Sequence, residues 1–383
     1  MTTMKNILIS GGLASAAMLT AVSANAATIG TFGNTTMKLG GYVKLDALYT
    51  NYGDGSYTGL GRDFYVPSTT PVGGSSSSYF DMHARQTRIH LATESKVDGK
   101  ILKSYIETDF MVTPDGDERI SNSYAPRLRH AFISYDKWLF GQTWSTFQNV
   151  GSLPETVDFI GNTDAGIFIR QPQIRYTYDA WQFSIENPET TVTQGGARVV
   201  TEDNKLPDLV GRYNYKNNDL TLVGAVLLRQ LTMDQGGVDD TATGYGISVT
   251  GKYMIGKNDI RFGINTGSGM GRYIGLNVAN GAVDNGSGGL EAIDSTGIFA
   301  SYRHHWNDKW RSNFTYSAIS IDNNTTLTGN GVTKGTWSAR ANAFFNWAKN
   351  FDLGGEIALA NREIESGADG SMTRLQFMAK YAF

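Results

Sequence analysis

RLQFMAKYAF, residues 374–383, decides the fold of this chain, because apolar and mostly polar residues alternate through it without a break. Successive side chains of a β-strand point to opposite faces. One face would carry Leu375, Phe377, Ala379, Tyr381 and Phe383, and the other Arg374, Gln376, Met378 and Lys380. A final aromatic residue suits a strand whose outer face meets lipid and whose end lies in the membrane interface. The stretch therefore predicts a membrane-spanning β-strand.

Residues 1–26 are predicted to be a signal peptide rather than part of the fold. Lys5 supplies a positive charge, a short apolar run follows, and Ala24-Asn25-Ala26 has the pattern of a cleavage site. The run is too short and too rich in glycine to span a membrane as a helix, so an uncleaved anchor is the weaker alternative. The folded domain is expected to cover residues 27–383.

Composition excludes several classes of protein. The formal net charge is −3, so there is no basic excess with which to bind the phosphates of a nucleic acid. The chain contains 0 Cys, which excludes a disulfide framework and a thiolate metal site. The mean hydropathy is −0.28, and no apolar run after the signal approaches about 18 residues, the minimum for a membrane helix. A membrane barrel is compatible with this value, since its lipid-facing and lumen-facing residues alternate.

Sixteen segments, the last strand included, have strand-like patterns, and no segment shows a sustained helical period. The predicted strands are 37–50, 80–95, 100–110, 126–135, 138–146, 170–178, 181–187, 208–216, 219–230, 243–255, 259–267, 296–305, 309–320, 335–346, 351–362 and 373–383. Their connections alternate in length. The long ones are 51–79, 111–125, 147–169, 188–207, 231–242, 268–295, 321–334 and 363–372.

The seven short connections are rich in Asp, Asn, Gly and Lys, which accept tight hairpin geometry. A transmembrane barrel has short turns at its periplasmic end and long loops outside, whereas a soluble sandwich has no need of this alternation. Trp and Tyr residues cluster beside the short turns as interface girdles do, although both also favour strands in general. The predicted fold is all-β, a 16-stranded antiparallel transmembrane β-barrel that closes without sheet edges.

Charged side chains on the polar strand faces predict a hydrated lumen, because a charge that faces lipid near the midplane costs roughly 2–4 kcal/mol. The predicted pore-lining residues are Lys44, Arg88, Lys103, Arg129, Arg170, Arg175, Arg212, Arg340 and Arg374. Arg261, Arg303, Arg311 and Lys380 also alternate inward. Basic residues outnumber acidic ones on these faces, and Arg binds carboxylates bidentately, so a preference for anionic solutes is one hypothesis. The alternative is that these residues pair with lumen carboxylates and only brace the wall.

The long connection at 147–169 is more apolar than a free loop, so we expect it to fold into the barrel. Glu155, Asp158 and Asp164 would then face basic wall residues across a constriction, which would set both a size limit and a transverse field. The alternative is an outside loop that covers a neighbouring subunit.

No motif supports catalysis. The 5 His have no metal-ligand spacing and no G-x-S-x-G is present, so the sequence predicts neither an enzyme nor a cofactor or metal site. The glycine-rich stretch at 267–271 lacks the Lys-Ser/Thr of a phosphate loop and is expected to be an exposed, flexible loop. A non-conducting structural or receptor barrel and a barrel-type lipid hydrolase remain the alternatives to a passive channel.

The chain contains the stretches FDMHARQTR (80–88), YIETDF (105–110), RLRHAF (127–132), FGQTWSTF (140–147) and RQPQIRY (170–176). Together they resemble the DcaP-like outer-membrane porins of Gram-negative bacteria. The resemblance implies a trimeric, 16-stranded porin in outer-membrane lipid, with a third loop that folds inward. It also implies diffusion of small anionic solutes, with dicarboxylates as the type substrate. Some members carry a helical coiled coil before the barrel; residues 27–36 are too short for one, so trimerisation would depend on the barrel walls.

Overall fold

Residues 26–113 and 119–383 are described by the computed structural model, and they form almost entirely β-structure. The signal peptide predicted for residues 1–26 lies outside these ranges apart from Ala26, so it stays a prediction. No helix in the described ranges is long and apolar enough to cross a bilayer. The single α-helix among these residues, α1, covers only Thr325–Thr328.

The described residues form 22 strands. They are β1 (Ala27–Phe32), β2 (Thr35–Tyr52), β3 (Ser77–His83), β4 (Arg88–Val97), β5 (Lys100–Asp109), β6 (Arg127–Tyr135), β7 (Trp138–Trp144), β8 (Arg170–Tyr178), β9 (Trp181–Glu186), β10 (Thr190–Gln194), β11 (Ala197–Thr201), β12 (Asp208–Lys216), β13 (Leu220–Gln235), β14 (Val238–Ile255), β15 (Asn258–Ser268), β16 (Ala282–Asp284), β17 (Leu290–Ala292), β18 (Asp294–His305), β19 (Trp310–Asp322), β20 (Thr333–Ala348), β21 (Phe351–Ile364) and β22 (Asp369–Ala382).

Sixteen antiparallel barrel strands follow one another in chain order and close into a cylinder. The closing pair is β2 with β22, in register from Tyr42–Ala382 to Tyr52–Met372. β3 and β4 both pair with β2 and together act as the second barrel strand, interrupted at residues 84–87. β1 pairs with the first residues of β2 as a hairpin, and β10, β11, β16 and β17 form a separate four-stranded sheet. All sixteen predicted strands are confirmed.

The opening stretch behaves as its alternation predicts. Leu375, Phe377 and Tyr381 are about half exposed on the outer face, whereas Arg374 and Gln376 point into the lumen and are buried. The tight turns also follow the sequence, since Asp136, Asp179 and Asn350 have φ values of 56°, 50° and 63° in the left-handed region that Asp and Asn tolerate. Both features are local, which explains why sequence patterns find them.

The long loop expected at 231–242 is wrong. β13 and β14 pair without interruption from Leu220–Tyr253 to Gln235–Val238, so this connection is a tall hairpin with its turn at Gly236–Gly237. The hairpin is stabilised by apolar side chains that pack against the extra four-stranded sheet. The buried members of this cluster are Val192, Leu231, Met233, Val238 and Ala282. The alternation of a barrel strand does not reveal this hairpin, because the strands against which it packs lie in two other loops.

The barrel wall is uneven in height. β7 and β9 have 7 and 6 residues, whereas β2 and β14 have 18 residues each. A tilted transmembrane strand needs about 9–11 residues, so the wall around β7 and β9 is too low to span the hydrocarbon layer by itself.

Candidate pore constriction

The third loop, L3 (residues 145–169), lies inside the barrel and touches several strands. The Asn149 side-chain amide donates to the Thr250 hydroxyl on β14 at 3.0 Å. The Ala165 backbone N–H donates to the Ser317 hydroxyl on β19 at 3.0 Å. Because these strands face the lumen from separate positions in the wall, L3 crosses the channel. The predicted inward fold of this loop is confirmed.

The tip of L3 is fixed to one part of the wall by buried charges. Arg340 on β20 donates to Asp158 at 2.7 Å and to Glu356 on β21 at 3.3 Å, and all three side chains are buried. Lys44 on β2 donates to the Val157 carbonyl oxygen at 2.7 Å and also pairs with Asp46 at 2.9 Å. We call these lumen-facing parts of β2 and β19–β22 the docking wall. Lys44 and Arg340 therefore hold L3 and do not face open water.

Asp164 does not meet a basic side chain, contrary to the expectation for L3. Its carboxylate accepts hydrogen bonds from Tyr65 and Thr336, each at 2.7 Å, and from Ser338. Burial raises the pKa of Asp164 above its usual value, although these hydroxyl groups and the more distant charge of Arg340 oppose the shift. Tyr65 belongs to L1 (residues 53–76), so this site joins two loops, which the alternation of the strands could not indicate.

Glu155 is the L3 carboxylate that does face several arginines. Arg311 donates to it at 2.7 Å, and Arg303 lies 3.9 Å away. Burial would raise the pKa of Glu155, but the hydrogen bond and charge of Arg311, together with Arg303 and Arg261, lower it below the usual range. All three arginines alternate inward in the sequence, but they are not among the predicted pore-lining residues. They form a cationic row beneath L3 on β15, β18 and β19.

A second set of arginines lies on β4, β6 and β8, and we call it the arginine wall; it begins next to the docking wall, since β4 pairs with β2. It consists of Arg88, Arg127, Arg129 and Arg170. Arg129 is buried between Glu107 at 2.7 Å and Asp109 at 2.8 Å. A register shift between β5 and β6 at Glu107 allows Arg129 and the next residue, His130, both to approach this carboxylate.

In the outer pairs of the arginine wall the cation covers the carboxylate. Arg88 lies 3.4 Å from Glu107, and their side chains are 18% and 1% exposed. Arg127 binds Asp109 at 2.9 Å, and these side chains are 23% and 0% exposed. The solvent-facing surface here is therefore cationic, although each ion pair has no net charge.

Four predicted pore residues form no ion pair with a carboxylate of the described ranges. The Arg170 guanidinium lies 4.4 Å from the Trp144 ring centroid and 5.7 Å from that of Phe168. Arg175 donates to the Thr146 hydroxyl at 2.8 Å and to the Trp144 carbonyl oxygen.

The other two of these four are buried beneath loops. Arg212 donates to the Gln148 carbonyl oxygen at 2.7 Å, and Arg374 donates to the Gly61 carbonyl oxygen and to the Thr50 hydroxyl at 2.8 Å. Lys103, in contrast, lies near a periplasmic turn, where it pairs with Glu94 at 3.1 Å and is 35% exposed. The predicted residues therefore divide into wall, loop-holding and vestibule positions.

The sixth loop, L6 (residues 269–293), also folds inward, so the exposed, flexible loop expected at 267–271 is wrong. Met270 and Tyr273 are completely buried, and Ile274 pairs with Ile167 of L3 as an isolated β-bridge. The Tyr273 hydroxyl donates to Asp208 at 2.9 Å. The apolar residues among the glycines were the available signal, because Met, Tyr and Ile are poorly suited to a free loop.

L1, L3 and L6 meet in an apolar cluster together with the end of β5. Its buried members are Phe64, Met111 and Ile160, and Phe159, Phe168 and Leu276 pack against them while partly exposed. The Phe159 ring lies 5.4 Å from Phe64 and 5.7 Å from Phe168. Three loops, and not L3 alone, narrow the lumen.

A closed barrel with an apolar outer face and a polar lumen narrowed by its own loops is the architecture of the porin-type outer-membrane channels. The family model described as DcaP outer membrane protein matches residues 4–383. The chain belongs to this family, and its location is the outer membrane.

Solved structures share the fold. The outer membrane channel DcaP of Acinetobacter baumannii has a TM-score of 0.80 at 24% identity, over 93% of this chain and 100% of that chain. The anion-selective porin from Comamonas acidovorans has a TM-score of 0.59 at 12% identity, over 91% and 100%. OmpT of Vibrio cholerae has a TM-score of 0.55 at 13% identity, over 93% and 100%. No curated protein sequence matches this chain.

Proposed function

We propose that the protein is a passive channel for small hydrophilic solutes, without a catalytic cycle, and that it prefers anions. The exposure of the arginine wall carries this proposal, because Arg88 and Arg127 face the lumen and their carboxylate partners lie behind them. The row beneath L3 supports it as well: Arg261 and Arg303 are 14% and 23% exposed, and both pair with Asp259, which is fully buried. Charges that line a pore set its preference by sign.

Two acids weaken this cationic surface. Glu155 and Asp352 are 28% and 23% exposed, more than the 17% of Arg311 that lies between them. The proposal therefore places the anion path beside the arginine wall and away from Arg311.

A reversal potential in a KCl gradient across a planar bilayer tests the preference. We expect the wild-type potential to lie on the chloride side of zero and the Arg88→Gln/Arg127→Gln double variant to move toward the potassium side. Lys257→Gln is the matched control, since it removes a charge that is 81% exposed at a periplasmic turn. A cation-selective wild type, or a double variant that behaves like the control, would overturn the proposal.

Dicarboxylates are the proposed favoured class of anion. Arg127 and Arg129 both bind Asp109, at 2.9 and 2.8 Å, while Arg88 and Arg129 both approach Glu107, so adjacent guanidinium groups form a short row. A solute with two carboxylates can contact two such groups in succession. The permeability ratio of succinate to butyrate, at equal concentration, measures this. A ratio no higher than in the Arg88→Gln/Arg127→Gln variant would argue against dicarboxylates.

We also propose that the barrel is a homotrimer, with the low wall around β7 and β9 covered by neighbouring copies. A strand of 6 or 7 residues leaves part of the hydrocarbon layer unspanned, and backbone groups without partners are costly there. Light scattering of the detergent-solubilised protein measures the protein mass. A monomeric mass in a mild detergent that preserves the fold would contradict the trimer.

A non-conducting receptor barrel is the second candidate, and the inward folding of three loops favours it. The cluster of Phe64, Met111 and Ile160 could close the lumen. Bilayer recordings separate the two functions, because a receptor barrel would show no single-channel steps although the protein inserts.

A further inference from the structure

Three glycines on the lumen face of the wall lie where the inner loops touch it. Gly246, Gly297 and Gly354 are buried, whereas their neighbours Ile247 and Ile298 are exposed to lipid, so a side chain at each glycine would point inward. None of the three has a positive φ. Glycine weakens a strand, and these positions do not need its backbone freedom. A close approach by another segment is the remaining physical reason for a glycine there.

At each of the three, a Cβ atom would meet a loop residue. At Gly297 it would lie 2.8 Å from the Ala165 Cα atom of L3 and 3.2 Å from the Ile274 side chain of L6. At Gly246 it would lie 3.0 Å from both the Met270 sulfur and the Phe147 ring. These distances are shorter than ordinary van der Waals contact, so the loop or the wall would have to move.

Gly354 is the corresponding position at the L3 tip. A Cβ atom there would lie 3.0 Å from Val157 and 3.1 Å from each of Met378 and Phe344, which bury Val157 in one small cluster. Val157 also receives the Lys44 hydrogen bond at its carbonyl oxygen. The Lys44 ammonium group therefore holds the tip on one side. On the other side, Gly354 has no side chain and leaves room for Val157.

We propose that Gly297, Gly246 and Gly354 are seats that position L3 and L6 against the wall and thereby set the width of the open path. The inference rests on the proposed channel function. Gly297 is the most restrictive seat, because its neighbour is a backbone atom that cannot rotate away, whereas Met270 and Phe147 at Gly246 can adjust. A larger residue at Gly297 moves Ala165 toward the arginine wall and narrows the path along it.

Single-channel conductance of Gly297→Ala and Gly297→Val tests the seat. We expect the conductance to fall by roughly twofold or more for Val and by less for Ala, because an overpacked contact moves the neighbouring backbone. Gly355→Val is the matched control, since Gly355 is exposed on the lipid face and a Cβ atom there meets nothing within 4 Å. A rise in conductance would contradict the narrowing and overturn the proposal. Conductance equal to that of the control would overturn the proposal.

A cross-link tests the same contact without a current. The chain contains 0 Cys, so an Ala165→Cys/Gly297→Cys pair would be the only thiols. Their Cβ atoms would start 2.9 Å apart, and a small relaxation reaches the spacing of about 3.5–4.5 Å that a disulfide needs. We expect rapid oxidation in the folded barrel and none for Ala165→Cys/Gly355→Cys. If the Ala165→Cys/Gly297→Cys variant fails to oxidise, the seat is refuted even if the wild type conducts. If this variant cross-links but the wild type does not conduct, only the channel function is refuted.

Discussion

The docking wall and the arginine wall use the same side chains for different purposes. On the docking wall, Arg340 is 1% exposed and lies between Asp158 and Glu356, so its charge holds L3 and does not reach the solute path. On the arginine wall, Arg127 is 23% exposed and its carboxylate partner is buried behind it. The comparison shows that counting lumen charges does not reveal selectivity. Which partner of each pair faces water decides whether the pair acts on a passing solute or only on the structure.

Replacing Arg340 by Ala should have the largest effect, on both the stability of the protein and its current. It leaves Asp158 and Glu356 buried without their cation, and losing one partner of such a pair costs about 3–5 kcal/mol. We expect a lower thermal unfolding midpoint and noisier, larger currents as L3 detaches. Circular dichroism and bilayer recordings measure the two. Stability equal to the wild type would show that the docking wall does not hold L3.

Arg129→Gln is the matched change on the other wall. Glu107 and Asp109 keep Arg88 and Arg127 as partners, so the loss should be nearer about 2 kcal/mol, the worth of hydrogen bonds to a charged group. The reversal potential should move toward cation permeability because the local charge becomes more negative. If selectivity is unchanged while L3 detaches, the roles assigned to the two walls are reversed.

Acidity should affect the two L3 carboxylates in opposite ways. The folded-state pKa of Asp164 is raised, so its protonated form favours folding, and the stability it contributes is present at low pH and is lost as pH rises through that pKa. The folded-state pKa of Glu155 is lowered, so its contribution is lost as pH falls through it. Asp164→Asn should raise the unfolding midpoint at pH 7, and this gain should shrink as pH falls and vanish below the ordinary Asp pKa of about 3.9, where the carboxyl is protonated in both states. A midpoint shift independent of pH would contradict this assignment.

The smallest effect is expected at an exposed pair outside both walls. Lys334 lies 2.7 Å from Glu363, but the two side chains are 51% and 42% exposed, and such pairs contribute little in water. Lys334→Ala should leave the unfolding midpoint and the reversal potential unchanged. A clear change in either would show that effects assigned to the walls come from the general charge of the protein.

Part of the site could be predicted from alternation and part could not. Inward direction was correct for Arg175 and Arg340, because both lie on regular stretches of strand, and Arg129 also points inward although it lies at the register shift between β5 and β6. The partners could not be predicted: Arg340 and Asp158 are 182 residues apart, and Tyr65 and Asp164 are 99 apart. Asp164 was expected to face a cation and instead accepts hydrogen bonds from hydroxyl groups, since its surroundings come from one strand, β20, and a different loop.

The sequence by itself determined the sixteen barrel strands, the direction in which their side chains point and the tight turns at one end. The strands and the side-chain directions depend on a period of two residues, and the turns depend on local backbone preferences. Neither requires contacts between residues that are distant in sequence. Only the tertiary structure decided that L1 and L6 join L3 in the lumen, that one wall holds a loop while the other faces the solute path, and that glycines leave room for the contact. The stretch 374–383 shows both contributions: its alternation places Arg374 inward, and only the folded L1 supplies the Gly61 carbonyl oxygen that Arg374 binds.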